Sequence, residues 1–171
     1  MVSKTSAILR GKSKHKIQVL HVESAGRLTL DQPSQNTRVW SGISTVAAHI
    51  VNVDGYFHAG KMQNHWTPDN GWDSLSIGPR GVLKFEPFLE FRCDYLSTEG
   101  TFDSITPISI QSHQTQDNAY FHIKQKGTVI FESQSRHPLG PWTDMSNFTA
   151  KTLIIDSTGQ MLAGRAKFKV A

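Results

Sequence analysis

An apolar alternation with a period close to two, cut at fairly even intervals by glycine-bearing turns, constrains this chain more than any other feature. Ile17, Val19 and His21 alternate with Gln18, Leu20 and Val22, and Ser24-Ala25-Gly26 turns the chain into Arg27-Leu28-Thr29-Leu30. Ile43 to Val53 is β-branched and small, ends in Asp54-Gly55, and returns through Tyr56-Phe57-His58. Further turns stand at Glu99-Gly100, Lys126-Gly127 and Thr158-Gly159. Successive strand residues point to opposite faces, so this alternation predicts half-buried strands, and Asp-Gly between two of them predicts a hairpin. The clearest unit is the last, where Phe148–Ile155, a turn at 157–159 and Met161–Val170 read as a long terminal hairpin.

Helical periodicity is weak. The best candidate, Trp40 to His49, contains Gly42, Ile43, Thr45 and Val46, which favour strand. Pro87 inside the apolar stretch Val82–Cys93 predicts a bent or edge strand, and 64–79 reads as the longest loop. Roughly eight to ten evenly spaced strands, with no internal repeat seen, predict an all-β antiparallel sandwich, with the jelly roll first among its forms.

Charge divides the chain. Lys4, Arg10, Lys12, Lys14 and Lys16 precede every acidic residue, the first of which is Glu23, although the whole chain balances 18 basic against 14 acidic residues. The expected organisation is therefore a flexible basic arm over residues 1–16 and a single β-sandwich domain over 17–171. Cations beside phosphates displace counterions, so the arm is a candidate for non-specific nucleic-acid contact; a solvated, solubilising tail is the alternative. No aromatic lies among the basic residues to stack on bases. No apolar run is long enough for a membrane span, and the N-terminal lysines interrupt any secretory core.

Catalytic signals are poor, and no enzyme is expected. Cys93, the single cysteine, sits in an apolar strand pattern and reads as a buried, inert thiol. The 8 histidines show no metal-ligand spacing. Asp69, Asn70 and Asp73 could hold calcium shared between subunits, but a plain Asx-type turn explains them, so no cofactor is expected. Trp66, Trp72 and Trp142 fall in predicted loops and are the candidate interface aromatics; Trp66 and Trp72 could instead present a platform for sugar rings.

A basic arm ahead of an all-β domain resembles the coat proteins of small icosahedral RNA viruses. The residues behind the resemblance are Lys4, Arg10, Lys12, Lys14 and Lys16, then the strand pattern from Ile17 to the terminal Lys167-Phe168-Lys169-Val170-Ala171. Such arms are usually longer and richer in Arg. The resemblance implies a capsid subunit with a jelly-roll body, a homo-oligomer up to an icosahedral shell, an arm facing the genome, and a location in the virion or the host cytoplasm. A carbohydrate-binding β-sandwich and a phage fibre or decoration protein are the rival readings.

Overall fold

The computed structural model describes residues 2–3, 6–10, 14–31, 45–58, 72–85, 89–104, 108–111, 120–131, 146–163 and 166–170. They are all-β and form parallel sheets. The strands are β1 (Val2–Ser3), β2 (Ser6–Arg10), β3 (Lys14–Val22), β4 (Arg27–Asp31), β5 (Thr45–Val53) and β6 (Tyr56–His58). β7 (Trp72–Ile77), β8 (Val82–Phe85), β9 (Leu89–Thr98), β10 (Thr101–Ser104), β11 (Ile108–Gln111) and β12 (Tyr120–Ile123) follow. The chain closes with β13 (Thr128–Phe131), β14 (Ser146–Ala150), β15 (Thr152–Ile155), β16 (Gln160–Ala163) and β17 (Ala166–Val170).

The antiparallel sandwich or jelly roll expected from the alternation is not formed. Every strand pairing recorded is parallel, in one 10-stranded and one 7-stranded sheet. The chain passes from one sheet to the other at each corner and pairs each strand with its counterpart one coil on, which is a parallel β-solenoid. Period two is common to both pairing modes, so it could not tell them apart. From β9 onward the longer sheet divides: Leu89–Arg92 pairs with β11, while Tyr95–Thr98 pairs with β12, giving these coils three faces.

The turns predicted as hairpins are the corners of this coil. Gly26, Gly55, Gly81, Gly100, Gly127 and Gly159 stand in one column, and the residue after each of the last five donates its N–H to the preceding glycine carbonyl: Tyr56 to Gly26 (3.0 Å), Val82 to Gly55 (2.8 Å), Thr101 to Gly81 (2.9 Å), Thr128 to Gly100 (2.8 Å) and Gln160 to Gly127 (2.9 Å). The ladder therefore runs unbroken through the bend. Glycine is required for space: a Cβ on Gly81 would lie 1.9 Å from the Val53 carbonyl oxygen of the preceding coil. The expected terminal hairpin is one complete turn of the coil, since β14 pairs in parallel with β17, Ser146 opposite Ala166. An internal repeat thus exists where none was read, and part of the expected loop over 64–79 is strand β7. The bend expected at Pro87 lies outside the described residues.

Inward columns build the core. One runs Leu20, Val51, Leu75, Leu96, Phe121 and Leu153; the facing sheet supplies Leu28, Phe57, Leu83, Phe102, Val129 and Met161. Ala48 and Cys93 flank Trp72 in a third column, and these small neighbours leave room for its indole, which stacks on Phe57 across the interior with centroids 6.0 Å apart. No helix among the described residues is long and apolar enough to cross a membrane.

Candidate functional site

Three regions of the coil carry chemistry or exposed apolar surface. The first is the outer side of the corner, where side chains pair between neighbouring coils. His21 Nε2 meets Asp54 Oδ2 at 2.8 Å, His122 Nε2 meets Asp156 Oδ1 at 2.9 Å, and Lys124 Nζ donates to Glu99 Oε1 at 3.1 Å. His21, Glu23, Ser24, Asp54, Pro79 and Arg80 line a shallow groove of about 460 Å³ beside the first pair. Half-exposed pairs of this kind contribute about 0–1 kcal/mol each, so they clamp coil to coil only weakly. No cluster of three His, Cys, Asp or Glu side chains able to hold a metal occurs among the described residues.

The second region is the last coil. The corner-side core column runs Val22, Val53, Ile77, Thr98 and Ile123, all at most 1 % exposed, and ends in Ile155 at 46 %. Val170, in β17 one turn beyond β14, is paired with buried Ala150 yet 48 % exposed. Ile154 in β15 and Leu162 in β16 add exposed apolar side chains to the coil of Ile155. Among the described residues these columns thus end with core positions open. At the other end, Val22 and Leu28 are already covered, with β1 and β2 paired on their strands.

The third region is the basic segment. The expected flexible arm over 1–16 is described only in part: Ser6–Arg10 pairs with β4 and Lys14–Val22 with β5, so position 16 falls inside β3. Local polarity suggested an arm, but the backbone of Ser6–Arg10 continues the corner-to-sheet path of the coil and finds a ladder there. Arg10 closes β2, Lys14 opens β3 and Lys16 is exposed; Lys4 and Lys12 lie outside the described residues.

The remaining candidates separate. Trp72, expected on a loop at an interface, is fully buried in its own core. A polar neighbourhood in sequence suggested a loop, whereas parallel pairing with Ala48 and Cys93 turns it inward. Trp66, Trp142 and Asp69 lie outside the described residues. Asp73 is bonded to His49 Nδ1 of the preceding coil. Cys93 is buried as expected, its Sγ donating to the Tyr95 carbonyl at 3.0 Å, and burial pushes its thiol far above the ordinary range. Ile155 and Val170 were missed, because their exposure depends on being last in a column.

Comparison with protein-family models, curated proteins and solved structures finds no match.

Proposed function

We propose that this protein is a non-enzymatic, self-associating structural protein, a β-solenoid of the fibre or decoration type, whose last coil docks on a second copy. The observation that carries the reading is the pair of core columns ending in half-exposed Ile155 and Val170. A solenoid needs a polar terminal cap to stay monomeric; apolar core positions at an end favour continuation onto another coil. Among the described residues only the C-terminal end offers them, which favours a closed, isologous dimer over an open filament. The jelly-roll shell is set aside with the antiparallel fold that suggested it. The reading puts the protein in the virion or the host-cell cytoplasm.

Light scattering on a sizing column tests this. The wild-type chain should elute as a dimer at low micromolar concentration, and the Ile155→Lys, Val170→Lys double variant as a folded monomer. A wild-type monomer at a hundredfold higher concentration would overturn the reading. Non-specific polyanion contact by Lys4, Arg10, Lys12, Lys14 and Lys16 belongs to the same proposal, supported by five cations that precede the first acidic residue, Glu23.

A further inference from the structure

We propose that the outer face of the longer sheet holds a binding slot for a neutral pyranose ring, centred on Ser74 and walled by Tyr95. One outward column runs Val19, Ile50, Ser74, Tyr95, Tyr120 and Thr152, residue opposite residue. Tyr95 and Tyr120 stack with centroids 5.2 Å apart and planes 4° from parallel. On the other side of Tyr95 the column continues with the small Ser74, then Ile50. Two strand spacings separate Ile50 from Tyr95, roughly 9.5 Å. A flat ring placed over Ser74 would therefore lie about as far from Tyr95 as Tyr120 does, with Ile50 closing the opposite side. Both walls are accessible: Tyr95 is 40 % and Ile50 42 % exposed.

The flanks supply hydrogen-bonding groups at the rim of such a ring. Asn52 and Ser76 stand one outward column over, with Ser76 Oγ held at 3.1 Å from the Oγ of the buried Ser97 beneath the rim. His49, Asp73 and Asp94 stand on the other side, at the bend of their strands. Carboxylate and hydroxyl oxygens accept more than one hydrogen bond, so pairing within the rim leaves capacity for a ligand. A ring with a C–H face and a hydroxyl edge matches an aromatic wall bordered by carboxylates, hydroxyls and an amide. The rim named here holds two carboxylates and no Lys or Arg, which favours a neutral hexose over a uronate, a sulfated sugar or a nucleotide phosphate. An aromatic side chain of a partner protein would stack equally well but make no use of the rim's remaining acceptor capacity.

The slot is independent of the open last coil, and its test does not depend on the oligomeric state. Calorimetric or saturation-transfer titration of the full chain with linear neutral hexose oligomers, cellohexaose and mannohexaose, should show saturable binding of at least one at millimolar concentration. An oligogalacturonate of equal length should bind more weakly. Tyr95→Ala should weaken binding by about tenfold, the worth of one aromatic stacking contact. Ser74→Phe should abolish it by filling the slot with a third stacked ring while leaving the thermal unfolding midpoint unchanged or raised. Should Tyr95→Ala fail to fold, Ser74→Phe decides alone. Undiminished binding by Ser74→Phe, tighter binding of the oligogalacturonate, or no binding of either neutral oligomer at millimolar concentration would each overturn the proposal.

Discussion

Replacing Gly81 by Ala should destabilise the protein by about 3 kcal/mol, and the same change at Gly159 by about 1 kcal/mol or less. At Gly81 the new Cβ would sit 1.9 Å from the Val53 carbonyl oxygen and 2.9 Å from its carbon. An ordinary C···O contact is about 3.3 Å or more, so the corner must move by well over 1 Å. Three hydrogen bonds hold it in place: Gly81 to the Gly78 carbonyl (2.8 Å), Val82 to the Gly55 carbonyl (2.8 Å) and Thr101 to the Gly81 carbonyl (2.9 Å). That displacement stretches at least two of them past bonding distance, at about 1–3 kcal/mol for each buried group left unmet. Ala restricts the unfolded chain and returns about 0.4–1 kcal/mol. At Gly159 the nearest atom, the Ile123 carbonyl oxygen, is already 2.8 Å away, and no described strand pairs onto the far side of β15 or β16 at that corner. A few tenths of an ångström relieves that contact. Urea unfolding of both variants, with the linear slope checked against wild type, measures the difference. Equal losses at the two positions, or a Gly81→Ala loss under 1 kcal/mol, would refute the idea that the stacked corner demands glycine for room.

Trp72→Ala should cost about 3–5 kcal/mol through the cavity it opens beneath Phe57, without changing the oligomeric state of the protein that remains folded; a change of oligomer at matched stability would place Trp72 at an interface after all. Cys93 should resist a thiol-specific alkylating reagent at mildly alkaline pH in the native state and react promptly in denaturant, since only the thiolate is nucleophilic and burial disfavours it; rapid native labelling would contradict the packing. Five engaged cations on single-stranded nucleic acid predict a log–log salt slope near −3.5, at roughly −0.7 per phosphate contact, and Lys12→Ala with Lys16→Ala should reduce it by about 1.4. Point substitutions are the fitting test here, because deleting residues 1–16 would remove β1, β2 and the start of β3. A slope unchanged by both substitutions would move the phosphate contacts elsewhere.

By itself the sequence determined that the chain is β-rich, where it bends, and that Cys93 is buried. These are local properties: alternation sets which side chains share a face, and glycine after Asp54, Glu99, Lys126 and Thr158 marks a bend whatever lies across from it. A glycine followed two residues later by an inward apolar side chain also recurs six times, as in Gly26-Arg27-Leu28, Gly55-Tyr56-Phe57 and Gly100-Thr101-Phe102, and is the one sequence signal that could have disclosed the repeat. Its spacing hid it: Leu89 pairs with Ile108, only 19 positions on, whereas Val22 pairs with Val53, 31 positions on. Only the tertiary structure decided which strand pairs with which, because a backbone ladder is satisfied equally by the neighbouring strand of a hairpin or by the next coil of a stack. That choice turned Trp72 inward, drew the basic segment into strands and left Ile155 and Val170 open at the last coil. It also set Tyr95 against Tyr120 with Ser74 beside them. Each of these depends on what lies one coil away, some twenty to thirty residues along the chain, and no local pattern carries that information.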